Sequence, residues 1–264
     1  SVSFALTNTG AGIPAAISAV SLKNQSASVT SRYHQQLQVR VSDANGNPVA
    51  GTTVTFTLGT AAAGACGTTT TASASFAGGG TTATATTDAG GLARSPTFTA
   101  NTAAGSFTAT AAVSSGGGKE ANSASSAASP SATQASVSLV NLAGKPAKIA
   151  LGVGSTQSTT TGSVFPIRLA VTVTDAEKNP VPGALVTFSA PAHSASGRFT
   201  VRSRASHRHR SRISHLHAVQ VKTNACGIAL APPLTANHQL GGYIVKASAK
   251  PARPAAFALV NEAP

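Results

Sequence analysis

An internal repeat constrains the fold of this 264-residue chain more than any other feature of its sequence. The segment 43–56 reads DANGNPVAGTTVTF, and 132 residues further on the segment 175–188 reads DAEKNPVPGALVTF. Later in the chain, TDA at 87–89 matches TNA at 223–225, at an offset of 136 residues. Because the register holds over so many positions, the chain contains two copies of one fold. Tandem arrays of one small module usually reach, hold or bind rather than catalyse.

Hydrophobic residues within each copy alternate with polar ones. Leu37, Val39 and Val41 follow this period of two, and so do Val54 and Phe56. Such alternation predicts half-buried antiparallel strands, and clusters of Gly, Asn, Asp and Pro between the runs predict turns. Since no segment keeps a helical period, the sequence predicts an all-β chain of two tandem Ig-like antiparallel β-sandwiches, each of roughly 100–130 residues. The residues predicted to point into the two cores are Val39, Val41, Val54, Phe56, Val171, Val173, Val186 and Phe188.

Four motifs resemble those of a known family. They are DANGNPV-x-G-x-x-VTF from residue 43, TTDAGGLA from residue 86, TANTAAGSFTATA from residue 99 and SFALTN from residue 3. Together they resemble the bacterial Ig-like repeats of the invasin and intimin type, and the resemblance extends over nearly the whole chain. It implies an extracellular β-sandwich at the bacterial cell surface, used in rods and stalks with adhesive or spacer roles. The expected partners are then a host or cell-wall glycan, or neighbouring protein subunits.

The repeat also predicts where each copy ends. LVN at 139–141 and LVN at 259–261 occupy the same slot, the final strand of a copy, and LTN at 6–8 has the same form. The predicted segments are an orphan strand at 1–9 that resembles the end of a preceding repeat, a first repeat at 10–141 and a second repeat at 142–264.

Two further segments carry expectations of their own. Residues 114–134, rich in Gly, Ser and Ala, are expected to form a flexible loop in the last hairpin of the first repeat. The orphan strand either remains from a longer array or pairs through residues 1–8 with a neighbouring molecule.

Composition favours a secreted β-rich chain over a cytosolic enzyme. Only 9% of the residues are charged, so Ser, Thr, Asn and Gly must cover most of the surface. No apolar run approaches the ~20 residues that span a bilayer, so no membrane span is expected. Two cysteines are too few for a disulfide framework. Cys66 and Cys226 are expected to be isolated thiols in turns or, alternatively, to pair between molecules.

The sequence contains few candidate catalytic residues. Four of the six acidic residues lie in turn motifs, and no nucleophile elbow, phosphate-binding loop, dinucleotide fingerprint or HExxH motif occurs. The chain is therefore expected not to be an enzyme and to need no cofactor. The spacing of Asp43, Asn45 and Asn47 imitates the first ligands of a calcium loop, but the required Gly at position six and Glu at position twelve are missing. The residues interpreted as structural turns instead are Asp43, Asn45, Asn47, Asp175 and Asn179.

The one compositional anomaly is a basic tract at 198–217. It holds six of the eleven Arg and four of the seven His, and it contains no acid. One interpretation is a solvated basic loop or hairpin. The other is a binding site for a polyanion, such as a wall polymer, an acidic glycan or lipid head groups. Specific nucleic-acid binding is disfavoured because no aromatic residue interleaves the arginines to stack on bases. The candidate polyanion-binding residues are Arg198, Arg202, Arg204, Arg208, Arg210 and Arg212.

A metal site is the remaining option for the tract. In a strand, each of two histidine pairs would project two imidazoles to one face. The fixed charge of Arg208 and Arg210 disfavours a bound cation beside them. The weak candidates for zinc or nickel are His207, His209, His215 and His217.

The sequence therefore predicts a non-catalytic extracellular segment of a bacterial surface protein, built as a stalk or adhesive rod. Two alternatives stay open. The chain is a fibre subunit that assembles through strand pairing by residues 1–8, or it is an accessory binding module of a secreted enzyme.

Overall fold

The structure is a computed structural model and describes residues 12–21, 24–61, 66, 70–113, 134–204 and 211–264. Of residues 203, 204, 211 and 212 it describes the backbone alone. The described residues form two compact units. The first contains the described part of 12–142 apart from Cys66, and the second contains Cys66 and the described part of 143–264.

Regular secondary structure in these residues consists of β-strands, which confirms the all-β prediction. The first unit contains β1 (Ala16–Ala19), β2 (Asn24–Ser28), β3 (Gln38–Ser42), β4 (Thr53–Leu58), β5 (Ala74–Phe76), β6 (Thr82–Thr86), β7 (Leu92–Arg94), β8 (Phe98–Ala100), β9 (Gly105–Val113) and β10 (Gln134–Leu142). None of the described segments forms a helix long and apolar enough to cross a bilayer.

The first unit is a sandwich of two sheets. A three-stranded sheet has the order β1-β3-β7, a five-stranded sheet has the order β2-β10-β9-β4-β6, and β5 pairs with β8 beside them. Inward positions of both sheets meet in one core, where Val41, Val54, Phe56 and Leu139 are fully buried. Alternation explains this arrangement, because successive side chains of a strand point to opposite faces.

The second unit repeats this plan. It contains β11 (Lys148–Leu151), β12 (Gln157–Thr160), β13 (Ala170–Thr174), β14 (Leu185–Ser189), β15 (Gly197–Arg204), β16 (Ser211–Leu216), β17 (Ala218–Lys222), β18 (Ile228–Leu230), β19 (Leu234–Ala236), β20 (Gly241–Ser248) and β21 (Ala255–Glu262). Its sheets have the orders β11-β13-β18, β12-β21-β20-β14-β17 and β16-β15-β19.

The core of the second unit is built from the equivalent positions. Val171, Val173, Val186 and Phe188 are fully buried, as Val39, Val41, Val54 and Phe56 are in the first unit. The eight core positions named from alternation are therefore confirmed. Phe188 lies at the centre, with its ring 6.4 Å from that of Phe199 and 6.3 Å from that of Phe257.

Two features differ from a purely antiparallel plan of identical copies. In each unit one strand pair is parallel, β2 with β10 and β12 with β21, so the early strand joins the last strand of its own unit. In the second unit, β15 continues past its pairing with β19 into a hairpin with β16. The corresponding β5 of the first unit is three residues long and pairs with β8.

Candidate functional site: the basic hairpin and its supporting turns

The described part of the basic tract is a β-hairpin. β15 and β16 pair antiparallel from Phe199 opposite Leu216 to Arg204 opposite Ser211. At its base β15 also pairs with β19, with Arg198 opposite Thr235. The hairpin is therefore anchored to the second unit by a three-stranded sheet.

Alternation along β15 separates a core face from an outward face. Phe199 is fully buried and Val201 packs against the core, whereas Arg198 and Arg202 are exposed. The same strand thus provides an apolar anchor and displays two guanidinium groups on the opposite side. Neither guanidinium forms an ion pair with a carboxylate among the described residues.

β16 adds polar and apolar groups to the hairpin. The Nδ1 atom of His215 lies 3.3 Å from the hydroxyl of Thr200, directly across the strand pair. Ile213 lies opposite Arg202 and is 51% exposed. An exposed isoleucine beside an exposed arginine is a surface that combines apolar contact with charge.

His217 is placed differently from His215. Its carbonyl accepts a hydrogen bond of 2.8 Å from the Ala190 N–H, which fixes the backbone. Its Nδ1 atom is buried and has no hydrogen-bond partner among the described residues. Within the described part of the chain, no group of three His, Cys, Asp or Glu residues could hold a metal ion.

Several of the candidate residues cannot be placed. Arg208, Arg210, His207 and His209 lie outside the described residues. For Arg204 and Arg212 the description ends at the backbone, where Arg212 pairs with Ser203. Of the predicted set, the structure thus places Arg198, Arg202 and His215 on one hairpin with exposed side chains.

The Asp43 turn is a closed hydrogen-bond system. One carboxylate oxygen of Asp43 accepts the N–H groups of Asn45 and Asn47, each at 2.9 Å. The other accepts the Asn47 side-chain amide at 3.1 Å and the Gly12 N–H at 3.3 Å. The Asn47 side-chain hydrogen bond, followed by the backbone donors, lowers the pKa of Asp43. Because N–H donors surround the carboxylate, they occupy the positions that a calcium ion would need.

The second unit repeats this turn. Asp175 is buried, and its carboxylate accepts the Asn179 N–H at 2.8 Å and the Gly144 N–H at 2.8 Å. In both units the aspartate therefore ties the turn to the chain segment that enters the unit. Asn45 contributes its backbone N–H to the first turn.

A buried asparagine in the last strand is a structural centre that the sequence analysis did not assign. The side-chain amide of Asn141 donates to the carbonyls of Ser73 and Ala103, at 2.8 and 3.0 Å. Its side-chain oxygen accepts the Tyr33 hydroxyl at 2.7 Å. In the second unit, Asn261 makes the equivalent donor contacts to Ser196 and Gln239. The sequence feature that could have predicted this centre is the Asn that ends the LVN motif of each copy.

The cysteines correct an expectation. Cys66 and Cys226 form a disulfide, with their Cα atoms 5.3 Å apart, so they are neither isolated thiols nor an intermolecular pair. Cys226 lies in a turn that Asn224 closes by accepting its N–H at 3.0 Å, and the first unit has Gly90 at the equivalent position. Counting cysteines could not reveal the bond, because a sequence separation of 160 and non-equivalent positions in the repeat hide the proximity.

Comparison with solved structures shows the fold class. Yersinia pseudotuberculosis InvD superimposes with a TM-score of 0.52 at 17% identity, over 94% of this chain and 57% of that one. This likeness confirms, at the level of fold, the resemblance to invasin-type Ig-like domains. The Escherichia coli adhesin FdeC also matches, with a TM-score of 0.45 at 17% identity, over 92% of this chain and 63% of that one.

A glycosyl hydrolase family 2 member from Bacteroides cellulosilyticus matches more distantly, with a TM-score of 0.31 at 16% identity, over 87% of this chain and 24% of that one. The chain spans about three fifths of the length of FdeC and InvD. No protein-family model and no curated protein sequence matches it.

Proposed function

We propose that the chain is a non-catalytic extracellular segment of a bacterial surface protein and serves as a stalk or adhesive rod. The observation that carries this proposal is the presence of two Ig-like units in one chain, each with its own hydrophobic core. A module that folds by itself can be repeated along a chain to gain length without a new folding problem.

The disulfide supports an extracellular location. Disulfides form and persist in oxidising compartments and are rare in the cytosol. Cys66 is exposed in the structure, so cytosolic reductants would have access to the bond between it and Cys226. The low charged content of 9% fits the same setting.

The use of the aspartates supports a non-catalytic role. The Asp88 carboxylate accepts the N–H groups of Gly90 and Leu92 at 2.9 Å, and Asp43 and Asp175 are held by comparable sets of donors. A glycosidase needs two carboxyl groups that face a substrate, one of them kept protonated. Carboxylates that close turns with backbone donors do not meet this need.

The basic hairpin is the candidate adhesive surface. The hairpin displays the guanidinium groups of Arg198 and Arg202 on an anchored strand. Such a surface attracts anionic polymers such as acidic glycans or wall polymers, with strength that falls as salt rises.

The test asks whether the chain adheres to acidic polymers without hydrolysing them. Beads coated with the full chain are placed under flow on surfaces of hyaluronan, wall teichoic acid and neutral dextran, and released reducing sugar is measured in parallel. We expect adhesion to the two acidic surfaces, weak adhesion to dextran and no sugar release above that of uncoated beads. Sugar release that scales with the protein through purification would identify an enzyme, and equal adhesion to all three surfaces would contradict an anionic ligand.

A further inference from the structure

The first unit carries a second basic surface, an open groove of about 740 Å³. Its polar lining includes Arg32, His34, Gln35, Gln36, Gln38 and Arg94, together with the hydroxyl residues Ser21 and Thr97. A cavity of about 320 Å³ shares Arg32, His34 and Gln36 with it. The described residues that line the two spaces include no acid, and the two guanidinium groups give this lining a net positive charge.

The loop on one side of the groove is held between two buried anchors. Tyr33 stacks on Phe98 with ring centroids 4.6 Å apart, and its hydroxyl donates to Asn141. At the other end Leu37 is buried, and its N–H donates to the Ser95 hydroxyl at 3.0 Å. The side chains between these anchors are exposed on a backbone that is fixed at both ends. Such a loop loses little conformational entropy when a ligand binds.

The other side of the groove is part of a sheet. Gln38 on β3 pairs directly with Arg94 on β7. Arg94 is exposed, and neither it nor Arg32 forms an ion pair with a carboxylate among the described residues. The two arginines thus reach the groove from different elements, a strand and a loop.

The second unit keeps this scaffold and changes its chemistry. Phe165 and Leu169 are buried where the first unit has Tyr33 and Leu37. Four of the exposed positions, however, hold apolar residues, and Val164 and Ile167 are 55% and 50% exposed. The position of Gln36 instead holds an exposed arginine, Arg168. The replaced pairs are Arg32 with Val164, His34 with Pro166, Gln35 with Ile167 and Arg94 with Leu230. The fold therefore does not need the polar set of the first unit, which makes this set a candidate for binding.

We propose that this groove binds an anionic oligosaccharide. Arg32 and Arg94 would hold its carboxylate or sulfate groups through charge-assisted hydrogen bonds, which planar guanidinium groups form in bidentate geometry. The amides of Gln35, Gln36 and Gln38 supply both donors and acceptors, as the hydroxyls of a sugar require. The volume lies within the usual range for small-molecule sites, about 300–1,000 Å³.

The lining favours a saccharide over the other polyanions. Its side chains include no exposed aromatic ring on which a nucleobase could stack. Among the described lining residues, the apolar side chain is that of Val20, which offers little to the side chains of a peptide. Neutral hydrogen-bonding groups outnumber the cations, which suits a ligand with many hydroxyls and few charges.

The test uses the full chain and isothermal titration calorimetry at 150 mM salt. The probes are a hyaluronan tetrasaccharide, which carries carboxylates, a chondroitin sulfate tetrasaccharide, which adds sulfate, and a neutral N-acetylglucosamine tetramer. We expect both acidic probes to bind and the neutral one to bind at least tenfold more weakly. The better of the two acidic probes then identifies the preferred anion.

Substitutions taken from the second unit provide the matched variant. Arg32→Val with Arg94→Leu should raise the Kd for the acidic probe at least tenfold, without loss of thermal stability, because the second unit carries these residues on the same scaffold. In a control, Arg40→Ser, which removes an exposed arginine of the same unit outside the groove lining, should change that Kd less than twofold.

Three outcomes would overturn the proposal. They are no binding of either acidic probe at millimolar concentration, equal binding by the Arg32→Val/Arg94→Leu variant, and tighter binding of a single-stranded oligonucleotide that depends on the same two arginines. If the full chain binds the acidic probes at the groove but does not adhere to the acidic surfaces, the result would count against the proposed function alone.

Discussion

At the scale of single residues, one difference between the two units is the position of a tyrosine hydroxyl in the core. The Tyr33 hydroxyl donates to Asn141 in the first unit. In the second unit Phe165 occupies the Tyr33 position, and the side-chain oxygen of Asn261 is buried without a partner among the described residues. The hydroxyl of Tyr243, where the first unit has Phe107, is also buried and unpaired within the same description. Such groups keep their desolvation cost without a compensating hydrogen bond.

The substitution Phe165→Tyr should stabilise the second unit. The new hydroxyl can donate to Asn261 as Tyr33 does to Asn141, and a net hydrogen bond contributes about 1 kcal/mol. Conversely, Tyr33→Phe should destabilise the first unit by about 1–3 kcal/mol, because it leaves the Asn141 oxygen unpaired. The measurement is urea unfolding followed by circular dichroism. Tyr243→Phe is the control, since it removes an unpaired hydroxyl and adds none; a loss of stability in Phe165→Tyr would contradict the pairing.

The Asp43 turn predicts a dependence of stability on pH. Hydrogen bonds from Asn47 and from backbone N–H groups lower the pKa of Asp43 in the folded chain. Its contribution to stability is therefore complete above the unfolded pKa of about 3.9 and is lost as the pH falls through the lower folded value. The melting temperature of Asp43→Asn should lie below that of the wild type at pH 6, and the gap should shrink towards pH 2. Glu262→Gln, which removes one charge from an exposed residue, should show a smaller gap at pH 6.

At the scale of elements, the basic hairpin combines anchoring and display in one strand. Arg198→Ser with Arg202→Ser should weaken retention on a dextran sulfate matrix, so that the variant elutes at lower salt than the wild type. Folding should persist, because Phe199 and Val201 keep the strand packed on the core. At about 1 M salt, where the Debye length is about 3 Å, neither protein should be retained.

A substitution in the core face of the same strand should lower stability, unlike the arginine substitutions. Phe199→Ala should cost about 3–5 kcal/mol of stability, as expected for a large buried aromatic side chain. If Arg198→Ser with Arg202→Ser eluted at the same salt concentration as the wild type, the hairpin would be a solvated structural feature. The adhesive surface would then have to lie elsewhere in the chain.

The strands show how far the sequence could predict the structure. Alternation at Val39 and Val41 identified the core face, because the period of a strand depends on its local backbone alone. The parallel partner of β2, the Cys66–Cys226 bond and the contact between Tyr33 and Asn141 depend on residues more than 100 positions apart. Local patterns do not encode such proximity. The groove residues Arg32 and Arg94, by contrast, can be predicted from sequence, because a comparison of the two copies at their exposed positions shows that the second copy lacks both arginines.

At the scale of the whole molecule, the disulfide sets how far the chain can be extended under load. A bond between Cys66 and Cys226 closes a loop of 160 residues, and a force applied to the chain ends bypasses that loop while the bond is intact. A fully extended residue spans about 3.3–3.6 Å, so reduction should add roughly 530–580 Å to the final length of the unfolded chain. Single-molecule pulling with and without reductant measures this difference.

The variant Cys226→Ser should show the longer extension even in oxidising buffer, and the denatured wild type should expose no thiol to Ellman's reagent. Full extension of the wild type without reductant would show that the bond does not form in solution. While the bond is intact, the residues between Cys66 and Cys226 stay out of the load path, which limits the extension of the chain when the β-units unfold.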